Sequence, residues 1–89
     1  MFEVRWLQSA LDDLMERWME GDAALRAAIT AAADVVDQRL SRRPTEEGES
    51  RENGERVFFV GPLGILFEVD AETSRVYIIH VWIIRRRSP

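Results

Sequence analysis

The apolar positions at the start of the chain recur at every second residue. Phe2, Val4 and Trp6 alternate with their neighbours over a short segment rich in residues that favour strands. Side chains of a strand point alternately to its two faces, so this period of two predicts a β-strand over residues 2–7.

The period then lengthens to three and four residues, which is the spacing of one helix face. The order Ser9-Ala10-Leu11-Asp12 has the form of a capping box, and Gly21 is suited to end the helix that follows. The apolar positions of this helix form one stripe, which we expect to be buried: Leu11, Leu14, Met15 and Trp18.

A second helix is predicted directly after the first. Asp22 is a good N-cap, the alanine-rich run after it has high helix propensity, and Pro44 prevents the helix from continuing. The expected buried face consists of Leu25, Ile29, Ala32, Val36 and Leu40. Small residues beside this face would let the two helices approach closely, so residues 9–41 are predicted to form an antiparallel helical hairpin.

The last part of the chain has the composition of a sheet. Residues 41–55 carry no large apolar side chain, so we expect a flexible, acidic loop there. Two strands joined by Gly61-Pro62-Leu63-Gly64 follow, then a turn at 71–74 and a long third strand, residues 75–84. Together these elements predict an α+β fold, in which an N-terminal strand and a helical hairpin pack on a small antiparallel sheet.

The turn at 71–74 sets an expected register between the last two strands. A four-residue loop would pair Leu66 with Ile79 and would put His80 and Trp82 on the bulkier face, under the helical hairpin. The opposite face would present an apolar groove lined by Leu66, Ile79, Val81 and Ile83. Because nothing else in the sequence is an obvious cover for this groove, we expect it to bind a partner or a second copy of the chain.

The composition of the chain is consistent with one domain and indicates the cellular compartment in which we expect the protein. Eighty-nine residues with a 46% apolar fraction suffice for a single core, so we expect one domain over residues 1–89. There is no cysteine, which fits a reducing compartment. The N-terminus lacks the pattern of a secretory signal and no stretch approaches a membrane span, so we expect a cytoplasmic protein without membrane association.

Charge is distributed unevenly along the chain. Residues 1–55 hold seven arginines against thirteen acidic side chains, residues 56–89 hold five against three, and the net charge is −4. An acidic protein is not a natural binder of polyanions. We therefore expect contact with nucleic acid to be at most local, through Arg85, Arg86 and Arg87.

Two segments of the sheet region carry a resemblance to a known family. They run from Arg56-Val57-Phe58-Phe59-Val60 through Gly61-Pro62-Leu63-Gly64 to Asp70, and over Arg75-Val76-Tyr77-Ile78-Ile79-His80-Val81-Trp82. With the element order and the terminal Arg85-Arg86-Arg87, the chain resembles the RelE/ParE superfamily of type II toxins. The resemblance implies a small toxin fold and an antitoxin that wraps it. It further implies either ribosome-dependent mRNA cleavage, as in RelE-like members, or gyrase inhibition, as in ParE-like members.

The resemblance also implies where a nuclease would keep its chemistry. The arginine of the family's Tyr-Arg-Val motif falls on Gly64, a basic residue of the preceding strand falls on Phe59, and a polar residue before the terminal arginines falls on Ile83. None of these three side chains can stabilise the charge that develops on a reacting phosphate.

Few other residues are candidates for chemistry. His80 is the one side chain able to exchange protons near neutral pH, although a core histidine is the commoner case. Arg56, Arg85 and Arg86 could stabilise a transition state, and Arg85, Arg86 and Arg87 could hold a phosphate or an acidic antitoxin segment. The sequence has no Gly-rich phosphate loop, metal-ligand cluster or nucleophile triad, so we expect neither cofactor nor metal.

Three functional hypotheses remain open from the sequence. The first is a toxin-like component of a bacterial toxin–antitoxin module, which binds an antitoxin and, in the ParE-like manner, a protein target such as gyrase. The second is a ribosome-dependent endoribonuclease that uses arginines alone. The third is a non-toxic homodimeric interaction module that keeps the toxin fold.

Overall fold

A five-stranded mixed sheet with two helices forms the body of the protein. The computed structural model describes residues 1–84. The helices and strands are, in chain order, β1 (Glu3–Trp6), α1 (Gln8–Glu20), α2 (Ala23–Arg42), β2 (Glu49–Ser50), β3 (Glu55–Val60), β4 (Leu63–Asp70) and β5 (Arg75–Ile83). The strand order is β1-β5-β4-β3-β2, with β1 parallel to β5 and every other pair antiparallel. The predicted α+β fold is confirmed.

The second helix supplies one side of the core. Asp22 caps it as predicted, because its carboxylate accepts a hydrogen bond from the amide of Leu25 at 2.8 Å. Four of the five residues expected on its buried face are buried, namely Ile29, Ala32, Val36 and Leu40. They pack against apolar side chains of the sheet: Phe58, Leu63, Ile65, Phe67, Val76, Ile78 and Val81.

The first helix begins differently from the sequence prediction. α1 starts at Gln8, and Ser9 lies inside it rather than serving as its cap. The Ser9 hydroxyl donates instead to the carbonyl oxygen of Ile79 in β5, at 2.6 Å. A capping box satisfies amides within the helix itself, whereas this serine joins the helix to the sheet.

A β-bulge in β5 overturns the predicted register. The pairing follows the prediction as far as Phe67 and Ile78, but Leu66 then pairs with His80 rather than with Ile79. Ile79 is therefore an extra residue on its strand, and such an insertion reverses the faces of all residues beyond it. Residues after the bulge lie on the faces opposite to those expected from a regular hairpin.

The bulge coincides with the point where β5 loses its outer neighbour. β1 pairs with β5 only as far as Trp6 and Ile78, and the chain then turns into α1. From there the edge of β5 is satisfied by α1: Ser9 bonds to the Ile79 carbonyl, and Asp13 accepts the amide of Val81 at 3.1 Å. Two side chains one helical turn apart thus take the place of a missing strand.

The segment between α2 and β3 folds over the end of the core. It contains two short 3₁₀ turns, Pro44–Glu46 and Glu52–Gly54, on either side of β2. The ring of Pro44 is buried. Gly48 has a φ of +65°, and a β-carbon there would overlap the carbonyl oxygen of Val57. This close approach explains why the loop has glycine at that position.

Candidate interaction surface

The sheet face away from the helices carries two exposed aromatic rings. Phe59 is 56% exposed and Trp82 is 36% exposed, and their rings meet edge to face with centroids 6.3 Å apart. Phe59 pairs with Gly64, which in turn pairs with Trp82 on the neighbouring strand. The indole ring lies over Gly64, where a β-carbon would overlap it. Because Gly64 has no side chain, the ring of Trp82 can pack directly on its backbone.

The apolar groove expected on this face is wrong in two of its four residues. Val81 is only 3% exposed and belongs to the core, and Ile83 packs against the core. Leu66 and Ile79 remain half-buried. The bulge moved Val81 and Ile83 to the covered side and brought His80 and Trp82, which were expected in the core, to the exposed side.

His80 is held by the first helix rather than by the core. Its Nδ1 lies 3.0 Å from Oδ2 of Asp13, the same oxygen that accepts the Val81 amide. Desolvation by itself raises the pKa of Asp13, but the bonds from Val81 and His80, together with the nearby positive charges, lower it overall. This contact between His80 and Asp13 is therefore one of the interactions that connect β5 to α1.

Arg56 likewise has a structural role. Its guanidinium donates to the carbonyl oxygens of Glu47 at 3.0 Å and Gly48 at 3.3 Å, and to the hydroxyl of Ser50 at 2.8 Å. These bonds clamp the loop onto β3 and leave the side chain turned away from the aromatic face. The structure therefore does not bring Arg56 together with His80. Arg85, Arg86 and Arg87 lie outside the described residues.

A second apolar surface, which the sequence reasoning missed, lies between the two helices. It is an open groove of about 490 Å³ lined mainly by Leu11, Leu14, Met15, Trp18, Ile29 and Ala33, with polar side chains at its rim. The predicted buried stripe of α1 is wrong in part, because Met15 is 64% exposed and Trp18 is 39% exposed. Only Ala10 and Leu14 of this helix pack in or against the core.

The sequence did contain a signal for this groove. At 3.6 residues per turn, the apolar residues from Ala10 to Met19 cover about half of the circumference of α1. One sheet face covers a narrower stripe than that. An apolar arc of this width therefore needs a second cover besides β5.

Arg26 of α2 forms hydrogen bonds with the C-terminal end of α1, beside the groove. Its guanidinium donates to the carbonyl oxygens of Trp18 at 2.9 Å and Met19 at 3.1 Å, and its Cζ lies 4.3 Å from the centroid of the Trp18 ring. The last carbonyls of a helix have no partner within the helix, so this arginine satisfies two of them from α2. It also makes a cation–π contact with the indole ring.

Solved structures of toxins have the same arrangement of helices and strands. The chain superposes on the toxin–antitoxin complex RelBE2 from Mycobacterium tuberculosis with a TM-score of 0.70 and 24% identity, covering 92% of this chain and 90% of that one. The chromosomal ParDE system from P. aeruginosa gives a TM-score of 0.68 and 19% identity, covering 96% and 98%.

The chain has the RelE/ParE toxin fold. The isolated E. coli RelE toxin also matches, with a TM-score of 0.62 and 14% identity over 98% of this chain and 88% of that one. No protein-family model and no curated protein sequence matches the chain. At these identities the likeness is one of fold.

Over residues 1–84, no three histidine or carboxylate side chains are grouped so that they could hold a metal ion. Neither helix in that range combines the length and the apolar character needed to span a membrane.

Proposed function

We propose that this protein is the toxin-like component of a bacterial toxin–antitoxin module and that its direct activity is protein binding. It binds an antitoxin, and its target in the cell is a protein, such as gyrase, as in the ParE-like hypothesis. The observation that carries the proposal is the pair of exposed apolar surfaces on a RelE/ParE fold, the face at Phe59 and Trp82 and the groove at Met15.

The composition of the aromatic face argues for a protein rather than a phosphate as its ligand. Phe59, Gly64 and Leu66 line it, with Trp82 across the top, and none of these side chains carries a charge. A reacting phosphate requires donors aimed at the charge that develops in the transition state. Exposed aromatic side chains are instead typical anchors of protein interfaces.

Two of the four candidate groups of an endoribonuclease, Arg56 and His80, lie within the described residues and have other partners. Arg56 is bound to the loop carbonyls of Glu47 and Gly48, and His80 faces the carboxylate of Asp13. Recruiting either group to a phosphate would first break these contacts. This geometry favours the protein-binding hypothesis over cleavage of RNA.

The decisive experiment expresses the chain in bacteria with and without the product of the neighbouring reading frame. We expect arrest of growth by the chain alone, recovery on co-expression, and co-purification of the two proteins. Purified chain should then inhibit DNA supercoiling by gyrase and should leave transcripts intact in a translation extract. Cleaved transcripts would replace this proposal with the endoribonuclease, and a partner-free dimer without arrest would replace it with the homodimeric module.

A further inference from the structure

The groove between α1 and α2 is an unoccupied apolar surface with an acidic rim. Its floor is apolar, and the charged side chains that line it are Asp12 from α1 and Asp34 from α2. Both carboxylates are on exposed residues. The groove therefore presents apolar contacts along its centre and negative charge on both of its banks.

Among the described residues, the arginines beside the groove, Arg17 and Arg26, are already engaged. Arg26 donates to the carbonyl oxygens of Trp18 and Met19 at the end of α1. Arg17 bonds to Glu20 at 3.1 Å within the same helix. Over residues 1–84, neither Asp12 nor Asp34 forms a salt bridge, so this part of the structure leaves the negative charge of the rim unpaired.

The exposed stripe of α1 has the dimensions of a helix-binding site. It runs from Leu7 through Leu11 and Met15 to Met19, one residue per turn. At 1.5 Å per residue this is roughly 18 Å, or about three turns of a facing helix. Flexible methionines on such a surface adapt to the side chains of an incoming helix. An amphipathic helix in a groove is a common mode of peptide recognition.

We propose that Asp12 and Asp34 make this groove selective for an amphipathic helix of a partner protein that carries lysine or arginine on both sides of its apolar stripe. The proposal rests on the proposed function for the source of the helix, which is the antitoxin. The new element is the sign of the charge on the partner's segment. From the sequence alone we expected Arg85, Arg86 and Arg87 to hold an acidic antitoxin segment, whereas the groove requires a basic segment.

Charge also decides against a second copy of this chain as the occupant. A copy would bring its own α1, whose flanks carry Asp12, Glu16 and Glu20, against the same acidic rim. Like charges placed opposite each other across an interface disfavour the wrong partner. A basic helix gains attraction at the same positions.

The test uses two labelled peptides of sixteen residues with an identical leucine stripe, one flanked by lysines and the other by glutamates. Binding to the full chain is measured by fluorescence anisotropy at low and high salt. We expect the lysine peptide to bind about tenfold more tightly at low salt, and the difference to shrink at high salt. The double variant Asp12→Asn with Asp34→Asn should remove most of that difference.

Matched variants separate the groove from general attraction to an acidic protein. Glu52→Gln with Glu72→Gln removes the same number of charges from exposed loop positions and should leave the preference unchanged. Met15→Asp should abolish binding of the lysine peptide, whereas Val35→Asp, on an exposed residue of α2 that does not line the groove, should not.

Several outcomes would overturn the inference. These are equal binding of the two peptides, binding of neither, an equal loss in the loop variant, or a dimer of the chain that Met15→Asp dissociates. The proposed function is tested separately by rescue of growth. If the neighbouring protein still rescues growth and co-purifies with Met15→Asp and with the double asparagine variant, the inference fails while the function stands.

Discussion

The indole ring of Trp82 lies so close over Gly64 that a β-carbon at position 64 would overlap the ring atoms Cε2 and Nε1. The two residues are paired across β4 and β5, and Phe59 on β3 completes the row. The space above Gly64 is thus filled by a tryptophan from the neighbouring strand.

Replacing Gly64 with alanine should therefore displace the ring. We expect Gly64→Ala to lower the free energy of unfolding by about 1–3 kcal/mol, measured by urea denaturation, because the extra methyl group meets the indole. In a Trp82→Ala background the same change should be neutral or stabilising. Glycine inside a strand lowers the free energy of unfolding by roughly 0.5–1 kcal/mol relative to alanine. An equal cost in both backgrounds would refute the contact.

Asp13 joins α1 to the bulged edge of β5 through one carboxylate oxygen. Asp13→Ala would leave the Val81 amide without its acceptor, so we expect a loss of about 1–3 kcal/mol in the free energy of unfolding. Asp13→Asn keeps an acceptor oxygen and should cost less than alanine. If the two variants are equally unstable in the same denaturation assay, the hydrogen bond to Val81 contributes little.

The lowered pKa of Asp13 also predicts a dependence on pH. A group whose pKa is depressed by folding stabilises the native state above its ordinary value, here 3.8, and that contribution disappears as the pH falls through the lower native value. The native protein should therefore lose stability in acid, and Asp13→Asn should show a weaker loss below pH 3.8 than the native chain. Denaturation midpoints at pH 7 and at about pH 3 provide the comparison. Parallel losses in both proteins would contradict the prediction.

Arg56 should act on the loop and not on a reaction. We expect Arg56→Ala to speed amide hydrogen exchange at residues 47–50, because the carbonyls of Glu47 and Gly48 lose their donor. Arg56→Lys restores a charge but not the three-way fork, so it should rescue only part of the protection. Toxicity on expression should follow the amount of folded protein. Toxicity that vanishes in a fully folded variant would point to a catalytic arginine.

Arg26 should stabilise the helical hairpin through the end of α1. Arg26→Ala removes two donors to carbonyl oxygens and the cation over Trp18, and we expect a loss of about 1–2 kcal/mol in the free energy of unfolding. The indole environment should change at the same time, which the fluorescence of Trp18 reports in a Trp6→Phe, Trp82→Phe background. Arg26→Lys, which keeps the charge without the fork, is the matched control. Unchanged fluorescence with unchanged stability would rule out this role.

Local patterning along the chain was sufficient for the fold class and for every element except β2, which lies within residues 41–55, where a flexible loop was expected. The alternation at Phe2, Val4 and Trp6 marks β1, Asp22 caps α2, and the residues of α2 at helical spacing are the ones that meet the sheet. The resemblance to RelE/ParE toxins, which depended on the order of these elements, is confirmed at the level of the fold. These features follow from the backbone propensity of the residues and from the regular spacing of apolar side chains. Both can be read from a short segment of sequence.

The faces of β5 were decided by the tertiary structure. β1 ends at Trp6, so the edge of β5 beyond Ile78 needs another hydrogen-bonding partner, and α1 provides it with Ser9 and Asp13. The bulge at Ile79 sits at this junction, and one inserted residue exchanges the core side for the exposed side. The pattern of residues 75–84 alone contains no information on where β1 ends or on where α1 lies beside β5.

The sequence by itself thus determined β1, the two helices, the strands β3 to β5 and the α+β fold class, but not the short strand β2. Only the tertiary structure decided that Val81 is buried, that Trp82 lies on Gly64, and that α1 keeps an apolar flank free at Met15. The physical reason is that secondary structure follows from near neighbours in the chain. Which side of an element is covered depends on contacts between residues far apart in sequence, and a one-residue shift in those contacts changes the answer.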